Sequence, residues 1–132
     1  MTPLEKIRAV NMPFAELKGV TFVEAEQDRV VARMLVRPDL CTVNRSIHGG
    51  ALMAFADSVG AAGTLINLPE DAKGTTTLES KTNFIGGARE GTTVVATTMP
   101  IHRGRRTQVW QTRIETEDGK LVAIVIQTQM VL

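Results

Sequence analysis

In the stretch NRSIHGGALMAFADSVG, residues 44–60, Asp57 follows His48 by nine residues and sits inside a long apolar run. A carboxylate taken out of water loses its solvation, so it is hydrogen-bonded, paired, or pushed toward neutrality. Two uses fit such a group. By accepting backbone N–H bonds Asp57 would tie down a loop, and by keeping an oxygen free it would act as a base or nucleophile toward an electrophilic carbon. The His48-Gly49-Gly50 step supplies a complementary group. A helix beginning there leaves its first N–H groups without intrahelical acceptors, which suits an anion or a developing oxyanion. Gly49 and Gly50 keep side chains away from a bound group, although a tight entry into a helix asks for glycine as well. On this reading the carboxylate, two turns further on, addresses the same bound atom. His48 is read first as a hydrogen-bonding residue that fixes the loop, with general base as its other use. Asn44 either orients a water or a carbonyl, or caps the turn.

These groups need a helix to hold them. Residues 49–68 have its pattern, with Leu52, Phe55, Ala56, Val59, Gly63 and Ile66 along one stripe, and Pro69 closing it. Ala54, Ala61 and Leu65 make the opposite side apolar too, so burial nearly all round is expected. Five Ala and two Gly between positions 51 and 63 allow close approach of other elements. Asp57 lies off the main stripe, beside Met53, Gly60 and Thr64, and faces a second surface, either a pocket or a partner subunit.

Around this helix the chain reads mainly as strand. Residues 3–10 suit a short helix capped by Thr2 with Pro3 at its first position. Alternation over 19–27 and 28–37 predicts two strands joined at Gln27-Asp28. Residues 37–47 are irregular. After the helix, segments 75–87, 91–103, 105–117 and 120–132 read as four further strands, with Asp118-Gly119 a hairpin signal. Two strands, a helix and four strands predict an α+β fold, one antiparallel sheet with a helix against it. The final strand is too apolar to face water along its whole length, and one helix covers little of six strands. A dimer whose sheets join edge to edge would cover an exposed sheet edge.

Composition narrows the function. The chain has 132 residues, 43% of them hydrophobic, which suits one domain over 1–132 with a packed core. Fifteen Lys and Arg against fourteen Asp and Glu leave a formal charge of +1, against the basic excess of a nucleic-acid binder. The single cysteine, Cys41, excludes an intrachain disulfide and a Cys/His zinc set, and is read as a small residue at a strand end. The segment 51–68 is long enough to span a bilayer, but its central Asp and missing basic flanks oppose that reading. The opening residues lack the apolar core of a signal peptide, so a cytoplasmic location is expected. Trp110 and Phe84 are read first as core and otherwise as pocket walls, and Met53 and Met99 as core filler or an adaptable lining. The densest basic cluster is Arg103, Arg105 and Arg106 around Gly104 in HRGRRTQ, either a solvated hairpin turn or a phosphate-binding one.

The N…HGG…D segment, set between two leading and four following strands, resembles the hotdog-fold acyl-CoA thioesterases of the phenylacetate-degradation type, from about Phe14 to Leu132. The resemblance implies a curved sheet wrapped around the helix, with sites at the interface of a homodimer and dimers often paired into tetramers. It implies hydrolysis of an acyl- or aryl-CoA, with no metal and no cofactor, coenzyme A being part of the substrate. It makes Asp57 the catalytic carboxylate and Gly49 the residue whose N–H polarises the carbonyl, with His48 before it. Gly50 falls on the substrate side, and Thr77 matches a Ser/Thr position that helps place the water from the opposing subunit. The arginine turn falls near the nucleotide end of coenzyme A, so Arg103, Arg105 and Arg106 are assigned to its phosphates. One departure stands out: the family's polar Asn, six residues before the histidine, is Thr42 here, and Asn44 lies four before it. A hotdog hydratase or dehydratase and a noncatalytic acyl-CoA-binding module are the competing readings.

Overall fold

A computed structural model describes residues 1–132. The chain opens with two short helices, α1 (Pro3–Ala9) and α2 (Pro13–Lys18). In α1 the Thr2 hydroxyl accepts from the Glu5 N–H and the Glu5 carboxylate accepts from the Thr2 N–H, a reciprocal cap. The sequence reading did not resolve α2. Pro13 starts it, and Gly19 ends it with a φ of 80°, a left-handed conformation that suits glycine.

Strands β1 (Thr21–Glu26) and β2 (Arg29–Leu35) follow, then 3₁₀ turns at Pro38–Leu40 and Val43–Arg45, then α3 (Gly49–Leu65). Strands β3 (Thr75–Phe84), β4 (Thr93–Arg103), β5 (Thr107–Thr116) and β6 (Leu121–Val131) complete one antiparallel sheet in the order β1-β2-β4-β5-β6-β3. This is the expected α+β arrangement. The apolar last strand is interior, paired on both sides, so the open edges are β1 and β3. No helix is long and apolar enough to cross a membrane.

The sheet packs on α3 through alternate residues. Val30, Ala32 and Met34 of β2, Val94 and Ala96 of β4, Ile114 of β5 and Ala123 and Val125 of β6 meet Leu52, Phe55, Ala56 and Val59 in one core. Burying a side chain the size of Phe55 contributes on the order of 2 kcal/mol. Two helix glycines admit large partners: a Cβ at Gly63 would stand 2.9 Å from the Trp110 ring, and one at Gly60 would stand 2.3 Å from Gln127 Oε1. Trp110 is core as expected, but Phe84 is 55% exposed, its ring against Gly49 at the start of α3, and Met53 and Met99 also reach solvent.

Helix α3 differs from expectation in two respects. It ends at Leu65 because Asn67 turns back, its Nδ2 donating to Gly63 O at 2.9 Å and to Gln27 O at 2.8 Å. It is also not buried all round. Ala54, Asp57, Ser58, Ala61 and Leu65 are half-buried, because the sheet covers only the Leu52–Phe55–Val59 side.

Candidate active site

Asp57 stands on that half-buried side, two turns into α3, so its carboxylate keeps contact with water rather than being sealed in the core. One oxygen is fixed. Thr77 Oγ1 donates to Asp57 Oδ1 at 2.7 Å, and Gln127 Nε2 donates to the same oxygen at 3.2 Å. Thr77 is held in turn by Gln129 Nε2 at 2.7 Å, and Gln129 Oε1 accepts from Thr75 Oγ1 at 3.0 Å. The relay depends on register. Thr77 pairs with Gln129 and Ser80 with Gln127, and the bulge between Thr77 and Glu79 lets both β3 residues face the helix. Gly60 leaves the space that the Gln127 side chain occupies. Asp57 Oδ2 receives no hydrogen bond from the chain and is the open oxygen of the pair.

The amino end of α3 carries the second group. His48 is its cap: Nδ1 accepts from the Gly50 N–H at 2.7 Å, so that nitrogen carries no proton in this geometry. The Gly50 N–H is thereby used inside the protein. The Gly49 N–H, by contrast, has no acceptor in the chain and is the free donor at this terminus. Eight residues at ~1.5 Å rise set Gly49 and Asp57 about 12 Å apart along the axis, and the backward lean of the Asp57 side chain recovers little of that. One chain's Gly49 N–H and Asp57 therefore do not meet on one atom, contrary to the expectation from spacing.

The remaining candidates are dispersed. Thr77, expected to act from an opposing subunit, bonds Asp57 of its own chain because β3 lies beside β6 above α3. Asn44 occupies a 3₁₀ turn at φ 61° and ψ 25°, a left-handed position that asparagine tolerates. Its side chain makes no hydrogen bond to the other candidates. Arg103 donates to Gln27 O at 3.1 Å and Asn67 Oδ1 at 3.3 Å, tying the β1–β2 turn to the end of α3. Arg105 and Arg106 stay free and line a cleft of about 480 Å³ with Pro69, Asp71, Ala72 and the carboxyl-terminal Val131 and Leu132.

One group near Asp57 escaped the sequence reading along with α2. Lys18 is 3% exposed, and its Nζ donates to Ala54 O at 3.1 Å and Ser58 Oγ at 3.2 Å, 4.1 Å from the Phe14 ring centroid. Burial lowers its pKa to about 8, with the Asp57 carboxylate pulling the other way. A second cleft, about 390 Å³, runs from Phe14, Leu17 and Lys18 past Leu40 and Cys41 to His48 and Ala54. Pro13 and Gly19, bracketing residues of helical composition, were the signal that would have found α2.

Comparison with known proteins gives consistent results. The thioesterase superfamily profile matches residues 44–123, the span from Asn44 through α3 to β6. A crystal structure of a mutant thioesterase PA1618 from Pseudomonas aeruginosa is 28% identical and superposes with a TM-score of 0.89, covering 98% of this chain and 93% of that one. The PaaI protein from the phenylacetic acid degradation operon of Escherichia coli, 21% identical, shares the fold with a TM-score of 0.87 over 98% of this chain and 91% of its own. The 1,4-dihydroxy-2-naphthoyl-CoA hydrolase of Escherichia coli is 41% identical over 76 residues, 57% of this chain and 54% of that protein.

Proposed function

The chain belongs to the thioesterase superfamily and is a thioester hydrolase of the hotdog fold, and from that premise we propose that it hydrolyses an acyl- or aryl-CoA with Asp57 as the reacting carboxylate. The observation that carries the assignment is the asymmetry of Asp57. Oδ1 is fixed by Thr77 and Gln127, and Oδ2 is open.

The second half of the site comes from another copy of the chain. About 12 Å separates Gly49 from Asp57 within one α3, whereas a thioester carbonyl needs its oxygen on the donor and its carbon near the carboxylate together. A homodimer that sets the Gly49 N–H of one protomer against the Asp57 of its partner satisfies both. The edge strand β3, with Leu78 and Phe84 exposed and Ile85 just beyond it, is the surface on which two such copies join.

In the reaction, the carbonyl oxygen lies on the Gly49 N–H at the positive end of α3. Asp57 Oδ2 takes a proton from water while the water oxygen attacks the carbonyl carbon, or it attacks that carbon itself and the resulting anhydride is opened by water. Collapse of the tetrahedral intermediate breaks the C–S bond. Coenzyme A leaves as a thiolate, a competent leaving group, and the acid is released. Losing an oxyanion donor such as the Gly49 N–H costs roughly 10²–10³ in rate. Arg105 and Arg106, whose guanidinium groups are uncommitted, hold the nucleotide phosphates; Arg103 is occupied by Gln27 and Asn67 and buttresses that turn.

Thiol release from aryl, short-chain and long-chain acyl-CoAs, measured for wild type and Asp57→Asn, tests the assignment. Asn keeps the shape and removes the charge. A folded variant slower by orders of magnitude on every substrate the wild type turns over supports it, and equal rates refute it.

A further inference from the structure

We propose that Lys18 is a positioning residue of the hydrolytic site, its buried ammonium holding the Ala54–Ser58 turn of α3 that carries Asp57. The inference rests on the reading of Asp57 as the reacting carboxylate.

Lys18 is costly where it stands. An ammonium 3% exposed gives up most of its hydration, and no carboxylate pairs with it directly. Its two partners, Ala54 O and Ser58 Oγ, are neutral, and Ser58 Oγ already donates to the same Ala54 carbonyl at 3.1 Å. A methionine would fill the space without that desolvation, so packing alone does not account for a charge here.

The surrounding charges leave Lys18 to Asp57. On its own helix the acidic residue is Glu16, in the first turn. From the 37–41 segment, Arg37 is engaged by Asp39 at 3.2 Å and by Leu17 O at 2.7 Å. Cys41 donates to Arg37 O, and its thiol is pushed up chiefly by burial. From α3, His48 is committed to the Gly50 N–H, and Asp57 is the anion whose field acts on Lys18. Thr77 and Gln127, which fix Asp57 from β3 and β6, are neutral. Lys18 is therefore the cation that α2 sets against the turn of α3 carrying Asp57.

The charge carries opposite consequences for activity and for stability, and this separates a working lysine from a structural one. The folded pKa, about 8, lies below the ordinary value of 10.5. Between these values the unfolded chain binds more protons than the native one, so stability rises with pH across that window. Activity that needs the ammonium falls over the same range.

The test is kcat/KM for thiol release from a wild-type substrate between pH 5 and 10, with urea unfolding across the same range, for wild type, Lys18→Met and Lys18→Arg. Wild-type activity is expected to fall roughly tenfold above pH 8 while its stability increases. Lys18→Met should lose both trends and sit near the alkaline plateau of the wild type. Lys18→Arg should restore the activity seen below pH 8 and abolish the alkaline fall. Wild-type activity that is flat above pH 8, or a folded Lys18→Met enzyme with wild-type kcat/KM, overturns the inference. Failure of the premise looks different: Asp57→Asn would then retain activity, whatever Lys18 does.

Discussion

Thr77 Oγ1 and Asp57 Oδ1 are joined at 2.7 Å within one chain, a bond that ties the open edge strand β3 to the middle of α3. It fixes one carboxylate oxygen and so determines where the other points. Thr77→Val keeps the shape and removes the donor, and kcat is expected to fall about 10- to 100-fold with KM little changed. Thr77→Ser should retain most of kcat. Steady-state kinetics on the two variants checks this, and a Val variant as active as the Ser variant would mean that the bond does not orient the carboxylate.

Gly60 bears on the same carboxylate through Gln127. Helix propensity alone favours Gly60→Ala by about 1 kcal/mol. The new Cβ, however, would lie 2.3 Å from Gln127 Oε1 and 2.4 Å from its Cδ, so the amide must leave Asp57. A net loss of about 1–3 kcal/mol is expected by urea unfolding, together with a lower kcat. Adding Gln127→Ala removes the clash but not the missing donor, so stability should recover while kcat stays low.

His48 sits next to the chemistry, yet its observed work is capping. His48→Ala is expected to cost about 1 kcal/mol of stability, and His48→Asn, a competent cap, much less. With capping as the role, His48→Asn keeps kcat within about threefold, whereas loss of a general base costs roughly 10²–10⁴ in both variants. The ratio of the two kcat values decides between these uses.

The arginine turn divides its labour. Arg105→Ala with Arg106→Ala is expected to raise KM for a CoA thioester roughly tenfold or more, at 1.5–3 kcal/mol for bonds to charged groups. The same acyl group on pantetheine, which lacks the nucleotide, should show no change. Arg103→Ala, whose guanidinium bonds Gln27 and Asn67, should lower stability instead of raising KM.

The parts of this fold legible in the sequence are those written as period and punctuation. Alternation gave the first two strands, composition and turn residues the last four, the apolar stripe with Pro69 gave α3, and Thr2-Pro3 gave α1. What the pattern could not carry was side-chain reach. The 3.6-residue period places Asp57 on a second face but does not say that Thr77 and Gln127, 20 and 70 residues away, close on one of its oxygens. That depends on strand order and on a bulge. Nor could spacing show that the His48 imidazole takes the Gly50 N–H, which is local geometry. Lys18 was missed with α2, six residues too short for a period to show, although Pro13 and Gly19 marked both ends.

The last prediction concerns where one site ends and the next begins. Gly49→Pro removes the free N–H, and proline suits the first helical position; the preceding His48, at φ −71° and ψ 137°, is already in the conformation a proline accepts. Its ring would press on Phe84, which is exposed and has room to move. Gly49→Pro alone should lose roughly 10²–10³ in kcat, and Asp57→Asn alone should be slower by orders of magnitude. If each site joins the Gly49 N–H of one protomer to the Asp57 of its partner, a mixed dimer of the two variants holds one intact pair and one doubly broken pair. Co-expression under two affinity tags isolates that mixed dimer. About half the wild-type kcat per dimer is expected, from two parents that are each nearly inactive, since one of the two sites is whole. A site built within one chain predicts no recovery, because every chain in the mixture would then carry a broken site.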